Sequence, residues 1–116
     1  MKRLITIMAL IALLPLPAMA ASVAVGRHIA RIKCAGCHGA GGAGDGVMLQ
    51  TLGAPAPPVP WTSKKEMAQF TDAQLTSVIA EGGKALNRSP LMPPFGNELS
   101  HSQIADLVAY IRSLGR

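Results

Sequence analysis

Cys34-Ala35-Gly36-Cys37-His38 places two thiols three positions apart, with an imidazole directly after the second. C-x-x-C-H is the attachment spacing of c-type haem. Each thiol can add across one vinyl group of a porphyrin, and the His38 imidazole can reach the iron from the same face. Cys34 and Cys37 are the chain's two cysteines, so the motif uses every thiol. Other chemistries compete for these residues. In an oxidising compartment a free pair tends to form a disulfide. A structural zinc site takes four ligands, whereas Cys34, Cys37 and His38 supply three and leave His28 or His101 as the fourth. That spacing fits no common zinc pattern. Thioredoxin-like redox chemistry calls for a βαβ pattern around the cysteines, and none is legible here.

A haem iron held by His38 has a second axial position. Met48 lies 10 residues after His38, in a glycine-rich stretch, too near to cross to the far face. Met67 reads as packing or surface. Met92 lies 54 residues after His38 in Leu91-Met92-Pro93-Pro94-Phe95-Gly96. Two prolines restrict the backbone there, and a stiff segment can hold a soft thioether against iron. Methionine more often fills a core, but this context points to Met92 as the sixth ligand. Trp61, Phe70, Pro93 and Phe95 are candidate lining for the haem pocket, and a proline carbonyl within Pro55–Pro60 is a candidate acceptor for the His38 Nδ1–H.

The chain has 116 residues and opens like a secretory leader. Lys2 and Arg3 precede an apolar run from Leu4 to Leu14, and Ala18-Met19-Ala20 offers small residues for cleavage. The expected division is a signal peptide over 1–20 and one domain over 21–116, exported to the periplasm. The rival is an uncleaved membrane anchor, since no charge occurs from Leu4 to Val25. Pro15 and Pro17 argue against a stable helix there.

Four aromatics serve the whole chain: Trp61, Phe70, Phe95 and Tyr110. A domain this small has a marginal core and usually needs a staple, which a covalent macrocycle would supply. Eleven cations stand against six acids. Without Lys2 and Arg3 the balance is +3, mildly basic and suited to salt-sensitive docking on acidic protein surfaces. No basic stripe with interleaved aromatics points to nucleic acid.

Three helices must position these groups. Val25, Ile29 and Ile32 fall at helical spacing and predict a helix over Val23–Lys33 that runs into the cysteine motif. Gly39–Pro60 holds six glycines and four prolines in 22 residues and reads as a loop, long enough to suggest that it wraps a ligand. Thr71 and Gln74 form a capping box for a helix ending at Glu81. Gly82 and Gly83 stop it. A second loop spans Lys84–Asn97. Ser100 and Gln103 cap a last helix, with Ile104, Leu107, Val108, Ile111 and Leu114 as its apolar stripe. No strand pattern and no internal repeat is convincing.

CAGCHG, the EGG at the end of the second helix, LMPPFG and the closing LVAYIRSL together resemble the class I c-type cytochromes, over roughly Gly26 to Leu114. The resemblance implies an all-α cytochrome c fold, with three main helices and long loops around one covalent haem c. It implies His38 and Met92 as axial ligands, and Cys34 and Cys37 as the covalent attachments. Gly26 matches the small residue at the crossing of first and last helices, and Tyr110 matches the aromatic on the last helix. Ala30 departs from the aromatic often found four positions before the first cysteine, so Ile29 is expected to pack that crossing. The implied role is a monomeric periplasmic carrier passing single electrons between redox proteins, and not an enzyme. The alternatives are a haem-based ligand sensor or haem subunit with a displaceable Met92, or a zinc- or disulfide-stapled module without haem.

Overall fold

The computed structural model describes residues 14–15 and 19–116. Lys2, Arg3, most of the apolar leader and Pro17-Ala18 lie outside them, as does the anchor question those residues raise. Among the described residues the structure is helical, with no strand. Six α-helices occur: α1 (Val23–Lys33), α2 (Ala35–His38), α3 (Met48–Thr51), α4 (Lys64–Met67), α5 (Asp72–Glu81) and α6 (His101–Ser113). A 3-10 turn covers Gly83–Leu86. None of these helices is long and apolar enough to cross a membrane.

The long helices begin where side-chain oxygens replace missing backbone partners. Ser22 Oγ accepts from the Val25 N–H at the start of α1. At α5 and α6 both capping boxes are complete. Thr71 and Gln74 bond reciprocally at 3.1 and 2.9 Å, and Ser100 and Gln103 do the same. Two helices were not expected. α3 is a single turn inside the glycine-rich loop. α4 follows Ser63, whose Oγ accepts from the Glu66 N–H at 3.3 Å.

One core holds the domain together. α1 gives Ile29 and Ala30, α4 gives Met67, α5 gives Leu75 and Ile79, and Trp61 and Leu99 join from the connections. α6 gives Ile104, Leu107, Val108, Tyr110 and Ile111. Ile104, Leu107, Val108 and Ile111 recur at 3, 4 and 7 positions, the spacing of one helix face.

α1 and α6 cross closely at Gly26. A methyl group there would collide with the Asp106 carbonyl oxygen and lie 2.8 Å from Tyr110 Cβ. Asp106 also accepts the Ser22 backbone N–H through Oδ1 at 2.6 Å. This crossing corrects the expected α1 face. Val25 and Ile32 are exposed, and the buried residues are Gly26, Ile29 and Ala30. The close approach over glycine rotates the helix so that its small side turns inward. Ala30 is buried beside Ile29, so a methyl group occupies the position where the resemblance offers a ring.

Candidate functional site

The cysteine motif forms one helical turn. Cys34 ends α1, its N–H bonded to the Ala30 carbonyl at 2.9 Å. The N–H groups of Cys37 and His38 both return to the Cys34 carbonyl, at 3.2 and 2.9 Å. Positions i, i+3 and i+4 share one side of a helix, so both thiols and the imidazole are presented together. Cys34 and Cys37 are free thiols, each half-buried.

The glycine-rich segment closes over this turn. Gly42 donates to the Gly39 carbonyl at 3.1 Å, Gly44 to His38 at 2.8 Å and Gly46 to Cys37 at 3.1 Å. Carbonyls at the end of a helix lack partners within it, and the loop supplies them. The loop therefore wraps the motif turn itself. Met48 belongs to this wrap. A methyl group on Gly36 would collide with its Sδ, so the Met48 thioether rests on the cysteine turn.

His38 lies against Trp61, with ring centroids 4.5 Å apart and planes at 20°. Its Nδ1 is buried without a hydrogen-bond partner. The expected bond to a carbonyl within Pro55–Pro60 is not formed. The Pro58 carbonyl instead lies over Gly44, and the indole covers the imidazole. Burial pulls the His38 pKa down to about 4, which keeps the ring neutral and a nitrogen lone pair available at neutral pH. Burial pushes the Cys34 thiol up to about 11, against a lowering by Lys33 and with a smaller raising by Cys37. Among the described residues no group of three or more His, Cys, Asp or Glu is gathered to hold a metal ion. Two free thiols and a neutral imidazole with one unpartnered buried nitrogen, all on one turn, fit a covalently held haem.

Met92 is placed by the end of α5. Its carbonyl accepts the Gly83 N–H at 3.1 Å. Phe95 donates to the Ile79 carbonyl and Gly96 to Ala80, each at 2.9 Å. Gly82 has φ +90°, and a Cβ there would lie 2.9 Å from the Met92 carbonyl oxygen. Only glycine readily combines that backbone angle with that approach. The two glycines that stop α5 thus also form the seat of the Met92 loop, a second use that the sequence pattern alone does not display.

Cys34, Phe70, Met92 and Phe95 are half-buried and pack against the core that contains Trp61. Pro93 does not join them. It is exposed, because the bonds at Met92, Phe95 and Gly96 turn the intervening prolines outward. The Arg88 guanidinium sits 5.0 Å over the Phe70 ring and donates to Gln69 Oε1 at 2.8 Å, so Arg88 is a bound side chain. Lys64, Lys65, Lys84, His28 and His101 are exposed.

A family model described as Cytochrome c matches residues 23–115. The cytochrome c6 of Picosynechococcus sp. is 33% identical over 115 residues, covering 96% of this chain and 92% of that protein. The cytochrome c6 of Synechococcus sp. is 35% identical over 117 residues, covering 96% and 91%. Among solved structures, the KustC0563 c-type cytochrome superposes with a TM-score of 0.62 at 23% identity, over 78% of this chain and 98% of its own. A chain of the Kuenenia stuttgartiensis reducing HAO-like protein complex gives 0.60 at 22% identity, over 88% of this chain and 46% of its own. At these identities the two structures support the fold alone.

Proposed function

The chain belongs to the cytochrome c family of electron-transfer proteins with one covalently bound haem c, and on that premise we propose that it is a periplasmic carrier using His38 and Met92 as axial ligands. The bound haem supplies a one-electron iron couple. Cys34 and Cys37 hold the porphyrin by thioethers from a single turn. His38 donates a lone pair from a ring that burial keeps neutral. Met92 offers a soft, weak donor that favours the ferrous state and raises the potential relative to two nitrogen ligands. With His38 and Met92 both bound to the iron, no place would remain for a substrate, and the role would reduce to electron exchange.

The observation carrying this reading is the fixation of Met92. Three backbone hydrogen bonds tie its loop to α5 and the adjoining turn, so the thioether sits on a rigid support. The experiment is Met92→Ala, read by the near-infrared sulfur-to-iron charge-transfer band of the ferric protein. Loss of the band in Met92→Ala, with retention in Met48→Ala, is expected. A band that survives in Met92→Ala sinks the ligand assignment. Rapid carbon monoxide binding by the ferrous wild type would favour a displaceable Met92 and the sensor reading.

Export is supported by the leader pattern and by exposure at the proposed cut, where Met19, Ala20 and Ala21 are all exposed. Intact mass of the protein from a periplasmic extract tests it: a chain beginning at Ala21 is expected, and one retaining Met1 contradicts cleavage. The partners fitting this surface are redox proteins with acidic docking faces, met by the exposed Lys64, Lys65 and Lys84.

A further inference from the structure

The residue that opens α1 is tied to α6. Ser22 donates its backbone N–H to Asp106 Oδ1 at 2.6 Å. Its Oγ accepts from the Val25 N–H at 3.2 Å, and its carbonyl accepts from the Gly26 N–H at 3.0 Å. All three polar groups of Ser22 are therefore held at the helix crossing. The residues before it face solvent: Ala20 and Ala21 are exposed, and Met19 is 98% exposed.

Charge is one-sided at this crossing. α1 contains Arg27, His28, Arg31 and Lys33 and no acid. Asp106 is the single acid of α6, so it is the one carboxylate on either helix, and it meets the start of α1. A carboxylate near a helix N-terminus is favourable, and a cation there is not. One oxygen of Asp106 takes the Ser22 N–H, and a carboxylate accepts several hydrogen bonds at once.

We propose that removal of the leader creates an ion pair between the new α-ammonium of Ala21 and the Asp106 carboxylate, a tie between α1 and α6 that the uncut chain does not have. The proposal rests on the reading of a cut after Ala20. In that hydrolysis the C–N bond between Ala20 and Ala21 breaks. Water gives its oxygen to the Ala20 carboxylate and both hydrogens to the nitrogen, whose N–H becomes an ammonium group. Three bonds separate the Ala21 nitrogen from that of Ser22, which puts the ammonium within about 6 Å of Asp106 Oδ1 for any Ala21 torsion. Opposite charges at about 4–6 Å favour the ionised forms. In the uncut chain the same nitrogen is a neutral amide and offers no charge to pair.

The test uses the haem-loaded protein from a periplasmic extract. Intact mass identifies the first residue, and a start other than Ala21 overturns the cleavage reading and the proposal with it. For a chain that begins at Ala21, the NMR resonances of the Ala21 α-carbon and methyl are followed against pH. An ordinary α-amino group titrates at about 7.7–8.0. Arg27, His28, Arg31 and Lys33 on α1 and His101 and Arg112 on α6 are cationic or neutral, and Tyr110 is neutral, so among these helices Asp106 alone can raise that value. A midpoint above the ordinary range is expected in the wild type, falling back in Asp106→Asn, whose amide oxygen still accepts from Ser22. A wild-type midpoint within or below the range overturns the ion pair alone. Urea denaturation gives a second reading. Inserting Gly-Ser between Ala20 and Ala21 keeps Ala18-Met19-Ala20 and moves the ammonium away from Asp106. The insertion is expected to lower the folding equilibrium constant about two- to fivefold in the wild type and not in Asp106→Asn. Equal losses in both backgrounds overturn the proposal. The titration of the wild type against the inserted form decides the matter should Asp106→Asn fail to fold.

Discussion

Gly83 donates its backbone N–H to the carbonyl of Met92 at 3.1 Å, joining the end of α5 to the residue proposed as the sixth ligand. A methyl group on Gly83 would collide with the Ser89 carbonyl oxygen and lie 3.4 Å from Met92 Cβ. Gly83→Ala must therefore move the loop. Overpacking of this kind costs about 1–3 kcal/mol. The expected outcome is a lower denaturation midpoint together with a weakened sulfur-to-iron band. Wild-type stability with a wild-type band would show that the loop is not seated on Gly83.

Gly26→Ala tests the crossing of α1 and α6. The added methyl meets the Asp106 carbonyl, which is backbone and cannot rotate aside. The helices must separate, uncovering part of the packing around Ile29 and Tyr110. A loss of about 2 kcal/mol is expected from overpacking. For a domain of this size each kcal/mol lowers the melting temperature by about 4–8 °C. An unchanged melting temperature would mean that the crossing tolerates a side chain.

Arg112 joins α6 to the connection between α4 and α5. It donates through Nε to Asp72 Oδ1 at 2.8 Å, through Nη1 to the Met67 carbonyl at 3.1 Å and through Nη2 to the Phe70 carbonyl at 2.5 Å. Arg112→Ala leaves the Met67 carbonyl with the Phe70 N–H alone and the part-buried Phe70 carbonyl without its Arg112 donor, at a cost of about 1–3 kcal/mol. Arg112→Lys is expected to recover little, because an ammonium cannot reproduce the planar fork. Urea denaturation of the three proteins measures this, and full recovery by lysine would contradict the fork argument.

Electron exchange with an acidic partner should slow as salt rises. Lys64, Lys65 and Lys84 are exposed, and such charges act over about 8–10 Å near physiological ionic strength. Stopped-flow rates between low and high salt check this. Reversing Lys64 and Lys65 to Glu should lower the low-salt rate and flatten the salt dependence. A rate indifferent to salt in the wild type removes electrostatic docking.

α5 and α6 were legible because each begins with a hydroxyl and a glutamine three positions on, and because Leu75 and Ile79, or Ile104 to Ile111, repeat at the helical period. α1 was legible in extent but not in orientation. Val25 and Ile32 are as apolar as Ile29, and a glycine at position 26 outweighed both in deciding which side faces α6. The four-residue α3 and α4 are too short for periodicity. α4 nevertheless carried a signal in Ser63 and Glu66, a helix-opening pair. The cysteine turn announced itself by spacing. The cap from Gly44 and Gly46, the stack of Trp61 on His38 and the seat of Met92 on Gly83 join residues six to 23 positions apart across irregular backbone, and no repeating pattern encodes them.

The bond between Ser22 and Asp106 spans 84 positions, and it lies at the crossing that organises the core. Helices form within about a microsecond, but closing so long a loop carries an entropy cost that grows with its length. The meeting of α1 and α6 therefore carries an entropy cost that the winding of either does not. α1 precedes α6 in the chain, and Ile29 and Ala30 lack their α6 partner until the final thirteen-residue helix is present. A chain interrupted before α6 is left with its first helix unpartnered, so the newest residues decide whether the oldest are protected.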